Sequence, residues 1–190
     1  MARVTVVPDE FTMVHYDAGE IRALAEGLAA KIGLPDDFPI TIEVDQESPF
    51  GNTAISFDGS SATLAVQSGA FENPKDPQRL SEDGTRQVLA RVFYRFLDRL
   101  SPEFGTPPAD EQLTFEQYTA WDAYAIGRYA RLGYDGEQPR RRYHFRLRHG
   151  FTDVADRAFD RLWNSDGLTW ADVEATCAET AEAKALLEAS

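Results

Sequence analysis

Cysteine is almost absent from this chain: Cys177 is the only one in 190 residues, which excludes an internal disulfide and any thiolate cluster around zinc. Histidine is nearly as scarce. His15, His144 and His149 are the only three, no two stand four apart, and no His-Glu-x-x-His occurs, so no metal ligand set is expected. Long apolar runs are missing too. No stretch approaches the roughly 18 apolar residues of a membrane span, and the first residues lack a basic region followed by an apolar run and a cleavage site. The expectation is a cytoplasmic protein with no membrane partner. Positive charge is in short supply: 19 Lys and Arg face 32 Asp and Glu, a formal charge of -13 at pH 7. A field of that sign repels phosphate backbones, which disfavours nucleic acid as a partner. There is no G-x-S-x-G elbow, no P-loop and no G-x-G-x-x-G after a strand, so no cofactor is expected.

What is present suits a folded domain. Hydrophobic residues make up 43% of the chain and charged residues 27%, enough apolar material for a real core. The expected fold class is α+β in a single domain over 1–190: a small antiparallel sheet of three to four strands in the N-terminal half, an N-terminal helix, and a C-terminal set of four to five helices. The sheet portion spans 1–78 and the helical portion 79–190. Val4, Thr5, Val6 and Val7 suit an opening strand. Asp17 and Glu20 then mark a helix start, and Gly33 and Pro35 stop that helix. From Pro39 the period changes to 2, with Ile40, Ile42 and Val44 on one side. Ile55 and Phe57 lie in a second strand, Leu64 and Val66 in a third, and Asp58-Gly59 has the chemistry of a hairpin turn between them. Residues 68–78, with Gly69, Asn73, Pro74 and Pro77, read as a loop.

In the helical portion, Leu89, Val92, Phe93, Phe96, Leu97 and Leu100 form an apolar stripe behind Ser81, and Pro102 ends it. Thr114 with Gln117 and Thr169 with Asp172 have capping-box spacing before two further helices. Phe151, Val154, Ala155, Ala158, Phe159 and Leu162 repeat at helical spacing between them.

The most unusual segment is 140–149, where Arg140, Arg141, Arg142, Arg146 and Arg148 occur with His144 and no acid in an otherwise acidic chain. As a strand it places arginines on one face and Tyr143, Phe145 and Leu147 on the other. As a helix opening at Pro139 it aligns Tyr143 and Leu147 with Phe151 and Val154, opposite a cationic face. Guanidiniums of this kind recruit a carboxylate or phosphate from an anionic ligand or protein partner, or else they pair with the chain's own acids. Asp122 is the second oddity, because it stands four from Tyr118 and Ile126 amid an apolar helix face. A carboxylate there serves as a general acid or base in a cleft, or accepts hydrogen bonds that lock helix packing. Trp121 and Tyr124 add ring surface to the same helix, either as core or as anchors for a partner, including a second copy of the chain. Glu43, Asp45 and Glu47 share one strand face and lack the loop of a calcium site. Cys177 aligns with Trp170 and Val173 as a small apolar group.

A helix, a small sheet with a hairpin and then a long helix resemble, over roughly the first half, the zincin-like metallopeptidase core. Where such a family carries paired histidines, this helix has Val88, Leu89, Arg91, Val92, Phe93, Tyr94 and Arg95. The resemblance therefore implies a fold of that kind without zinc peptidase activity. The function expected from the residues is contact with an unknown protein partner or anionic ligand, through Arg140, Arg141, Arg142, His144, Arg146 and Arg148 or through Trp121 and Tyr124, with no catalytic set. The alternative is a small-molecule-binding domain or an enzyme with Asp122 and an arginine in a cleft.

Overall fold

Val4 and Val6 are buried while Arg3, Thr5 and Val7 are exposed, the alternation of β1 (Arg3–Val7) in a computed structural model that describes residues 2–189. The chain returns through α1 (Ala18–Ile32), whose first turn is held by Asp17 Oδ1 accepting the Glu20 amide at 2.7 Å. Gly33 ends α1 at φ 86°, a left-handed conformation that costs glycine nothing. β2 (Pro39–Asp45), β3 (Thr53–Phe57) and β4 (Ala62–Gln67) complete the sheet. Asp58 shapes the β3–β4 hairpin, accepting the Ser60 and Ser61 amides at 2.8 and 2.7 Å, and these bonds hold its carboxyl far below the usual carboxylate range.

The α+β class stands, but the sheet is mixed where an antiparallel one is expected. Its order is β1-β2-β4-β3, with β1 and β4 both parallel to β2 and only β3 antiparallel to β4. Two physical reasons account for this. α1 lies between β1 and β2, and a helical crossover returns the chain in the same direction, which makes the two strands parallel. β4 buries Ala62, Leu64 and Val66 and takes the interior position, leaving the half-exposed β3 at the edge. The 68–78 segment is also more ordered than a loop. It contains a 3-10 turn (Ser68–Ala70) and the two-stranded hairpin of β5 (Glu72–Asn73) and β6 (Asp76–Leu80), with Phe71 buried beside it.

α2 (Glu82–Leu100) starts where Ser81 Oγ accepts the Gly84 amide at 3.1 Å. It packs on the sheet: the rings of Phe57 and Phe96 stack at 6.3 Å, and Arg91 donates to Thr53 Oγ1 at 3.0 Å. The first helix of the helical portion thus belongs with the strands, and the chain divides into compact units 1–100 and 101–190.

The second unit is built from α3 (Phe115–Arg131), α4 (Gln138–His149), α5 (Asp153–Asn164) and α6 (Trp170–Glu188). Both expected capping boxes form, at Thr114 with Gln117 and at Thr169 with Asp172, and Thr152 caps α5 through the Ala155 amide. Trp121 lies at the centre, 5.3 Å from both the Phe104 and Trp170 rings. α3 and α5 meet at Gly127, where a Cβ would fall 2.2 Å from the Trp163 carbonyl oxygen. Gly127→Ala must therefore push the two helices apart, and a loss of about 2 kcal/mol is expected in urea unfolding of the chain. An unchanged midpoint would show that the contact is slack.

Candidate partner-binding face

Residues 138–149 form a helix, with proline in the first turn, where its missing N–H costs nothing, and Gly150 at φ 93° closing the end. Phe145 and His149 turn inward and stack at 3.8 Å between ring centroids. The direction of the remaining side chains follows from the neighbouring helix. Arg142 and Arg146 stand one turn apart on α4, and Asp160 and Asp156 stand one turn apart on α5, so the two antiparallel rows match. Arg146 meets Asp156 through two bonds of 2.6 Å, and Arg142 pairs with Asp160 while lying 4.7 Å over the Phe159 ring. Arg146 thereby holds the Asp156 carboxyl below its usual range.

The other expected site residues are distributed as follows. Arg141 reaches Asp122 on α3 at 3.1 Å, and both side chains are largely buried. Arg140 pairs with Glu137 at 3.0 Å but remains exposed. Arg148 meets no carboxylate among the described residues; its guanidinium lies 4.4 Å over the Phe115 ring. His144 is exposed. Trp121 and Tyr124 are core residues, and the Tyr124 hydroxyl accepts the Leu168 amide at 3.1 Å. Asp122 and Arg141 come together, as the small-molecule alternative requires, but they line neither the concavity beside Glu43 nor the one beside His149.

With three arginines turned to internal carboxylates, a different surface faces outward. Arg140, Tyr143, His144, Leu147, Arg148 and Phe151 recur at intervals of three and four and are all exposed. They form two parallel rows. Tyr143 and Leu147, one turn apart on α4, are 54% and 51% exposed, and Phe151, past the helix end at Gly150, is 57% exposed and extends the row, its ring edge to face with Tyr143 at 6.1 Å. Arg140, His144 and Arg148 form the second row beside it, which owes its positive charge to the two arginines. Phe115, 68% exposed under Arg148, widens the apolar surface. Scattered exposed apolar residues are ordinary; Tyr143, Leu147 and Phe151 are contiguous and rimmed by charge.

The apolar residues are the part that the sequence reading points inward. Tyr143, Leu147, Phe151 and Val154 look like the buried face of an amphipathic helix, yet the first three are exposed and Phe151 precedes α5. The signal that identifies the inner face is the matched spacing of Arg142 and Arg146 with Asp160 and Asp156.

At the end of the face, a cavity of about 250 Å³ lies beside His149, Cys177 and Lys184. His149 Nε2 donates to the Glu116 carbonyl at 3.1 Å, and Nδ1 lies 2.7 Å from the Thr180 hydroxyl oxygen. Burial draws its pKa down to about 4. Burial, aided by Glu116 and Glu174, pushes the Cys177 thiol up to about 12, so it is not a thiolate nucleophile at neutral pH. Among the described residues no group of three or more His, Cys, Asp or Glu could hold a metal ion, and no helix is long and apolar enough to cross a membrane. No family model, no curated protein and no solved structure matches the chain.

Proposed function

We infer that this chain is an interaction module that docks an acidic amphipathic helix of a partner protein on the outer face of α4. One observation carries the reading: Tyr143 and Leu147 on a helix without a single acid, with Phe151 just beyond its end against the Tyr143 ring, are each more than half exposed beside the arginines Arg140 and Arg148, in a chain of net charge -13. An apolar row at helical spacing suits the grooves of a second helix, and the cationic row fixes its charge. Two copies meeting here would set Arg140 and Arg148 against their own equivalents, which disfavours self-pairing and favours an acidic partner.

The magnitude points to a transient contact. The three residues offer about 350 Å² for burial, worth about 9 kcal/mol at about 25 cal/mol per Å². Association costs of about 4–15 kcal/mol offset much of that, so rim electrostatics and Phe115 decide whether binding reaches micromolar strength.

A suitable probe is a synthetic helical peptide with leucines at i, i+4 and i+7 flanked by glutamates, followed by fluorescence anisotropy. Binding in the micromolar range is expected, weakening about tenfold for Leu147→Asp and for Arg148→Glu, and weakening with added salt. Both positions are exposed, so the fold is retained and circular dichroism verifies it. Equal binding of a lysine-flanked version, or wild-type affinity in both variants, overturns the reading. A dimer in light scattering that Leu147→Asp converts to monomer would instead identify a second copy as the occupant.

A further inference from the structure

The register of the first unit's sheet aligns unusual side chains on the face opposite its core. Thr5, Thr41, Thr63 and Ser56 stand abreast across β1, β2, β4 and β3, and Val7, Glu43, Ala65 and Ala54 form the next row toward the ends of the parallel strands. Residues at alternate positions on those strands are buried on the other face, so these rows look outward. Alanines abreast on β4 and β3 leave the surface low, and Val7 and Pro8 rise at the far side. The result is a trough of about 510 Å³ across the whole sheet, within the range of small-molecule sites.

Its chemistry is lopsided. The walls and floor are mostly apolar, from Val7, Pro8, Ala54 and Ala65, and the charged groups in it are Glu43 and Asp45. No described residue donates a hydrogen bond to the Glu43 carboxylate or pairs with it, although it stands in the middle of the row between Val7 and Ala65. Asp45 lies two residues further along β2, about 7 Å on. Its carboxylate accepts only the Glu47 amide, at 3.1 Å. Two carboxylates are too few to hold calcium or magnesium by themselves. The trough lies toward the carboxyl ends of the parallel strands β1, β2 and β4.

We propose that this trough binds a small organic cation, a primary ammonium on an aliphatic stem, with the stem lying over Ala54 and Ala65 and the ammonium against Glu43. The apolar floor removes the stem from water, the free carboxylate supplies a charged acceptor, and the net charge of -13 raises the local concentration of cations. The trough lies in the 1–100 unit and shares no residue with the α4 face, so the two proposals stand or fall separately.

The test is a nitrogen–proton NMR titration of the full chain with hexylamine, hexanol and hexanoate. Hexylamine is expected to shift the amides of Val7, Glu43, Ala54 and Ala65 with a dissociation constant on the order of 1 mM, and hexanoate to shift none of them. Glu43→Gln, a surface change that leaves the core intact, is expected to weaken hexylamine at least tenfold. Ala65→Trp fills the floor and is expected to abolish binding; should that variant misfold, Ala54→Leu makes the same test from the edge strand. Equal binding of hexanol and hexylamine, unchanged affinity in Glu43→Gln, or shifts confined to residues outside the trough would overturn the proposal. Tighter binding of the tripeptide Gly-Lys-Gly than of hexylamine would overturn it in favour of a peptide side chain.

Discussion

Asp122→Ala is expected to destabilise the chain by about 3–5 kcal/mol, read from urea unfolding followed by tryptophan fluorescence. Asp122 sits on α3 between Trp121 and Ala123, both in the core, and its Oδ2 meets the Arg141 guanidinium of α4 at 3.1 Å. Removing the carboxylate leaves a cation that cannot shed its proton in a site with little access to water, so the cost exceeds that of the lost bond. Asp122→Asn keeps the shape and removes the charge, and it should lose most of the same stability. Replacing both partners together, Asp122→Leu with Arg141→Met, should recover much of the loss, because two apolar side chains of similar volume need no pairing. A loss below about 1 kcal/mol for Asp122→Ala would mean that the pair is hydrated and does not tie α3 to α4.

The same pair bears on how the α4 face comes to be exposed. Arg141, Arg142 and Arg146 reach carboxylates on α3 and α5, and those contacts orient the helix about its axis. Once they face inward with Phe145 and His149, a 3.6-residue period leaves Tyr143 and Leu147 pointing away, and Phe151, beyond the helix end at Gly150, lies against the Tyr143 ring. Electrostatic matching, more than hydrophobicity, therefore decides which side of α4 meets solvent. The apolar row outside is the consequence.

This explains which parts of the structure are legible in the residues. Caps and stops are local chemistry: Asp17, Ser81, Thr114 and Thr169 each accept the amide that their spacing predicts, and Gly33 ends α1. Strand alternation at Ile40, Ile42 and Val44 and the hairpin at Asp58 are equally local. Pairing is not. That β4 inserts between β2 and β3 depends on contacts across the sheet, and the only sequence sign of parallel pairing is the helix between β1 and β2. The α4 site is legible as a segment without acids, but not as a face, because apolar periodicity alone assigns Tyr143, Leu147 and Phe151 to a core. Periodicity reports that a helix has two sides; the partners on α3 and α5 report which side is inner.

The pH dependence of stability provides the second large effect, and it comes from His149. Burial lowers its pKa to about 4, against about 6.5 for an unfolded histidine, so the unfolded chain binds the proton more readily than the folded one. Stability from this group is complete above pH 6.5 and falls as the pH drops toward 4, by about 3 kcal/mol over that window. The groups around the ring account for the direction. The Glu116 carbonyl and its charge favour the protonated form, Lys184 opposes it, and the removal of water outweighs both. The decline begins above the range in which Asp156, Asp58 and Asp172 titrate, since their carboxyls are held low by their hydrogen bonds, so the stretch from pH 6.5 to 5 isolates the histidine. Urea midpoints of wild type should fall across that stretch, while His149→Gln, less stable at pH 7, should show a nearly flat profile there. A ring-proton NMR titration checks the cause directly: a midpoint near 6.5 for His149 would contradict the burial argument even if stability still declined.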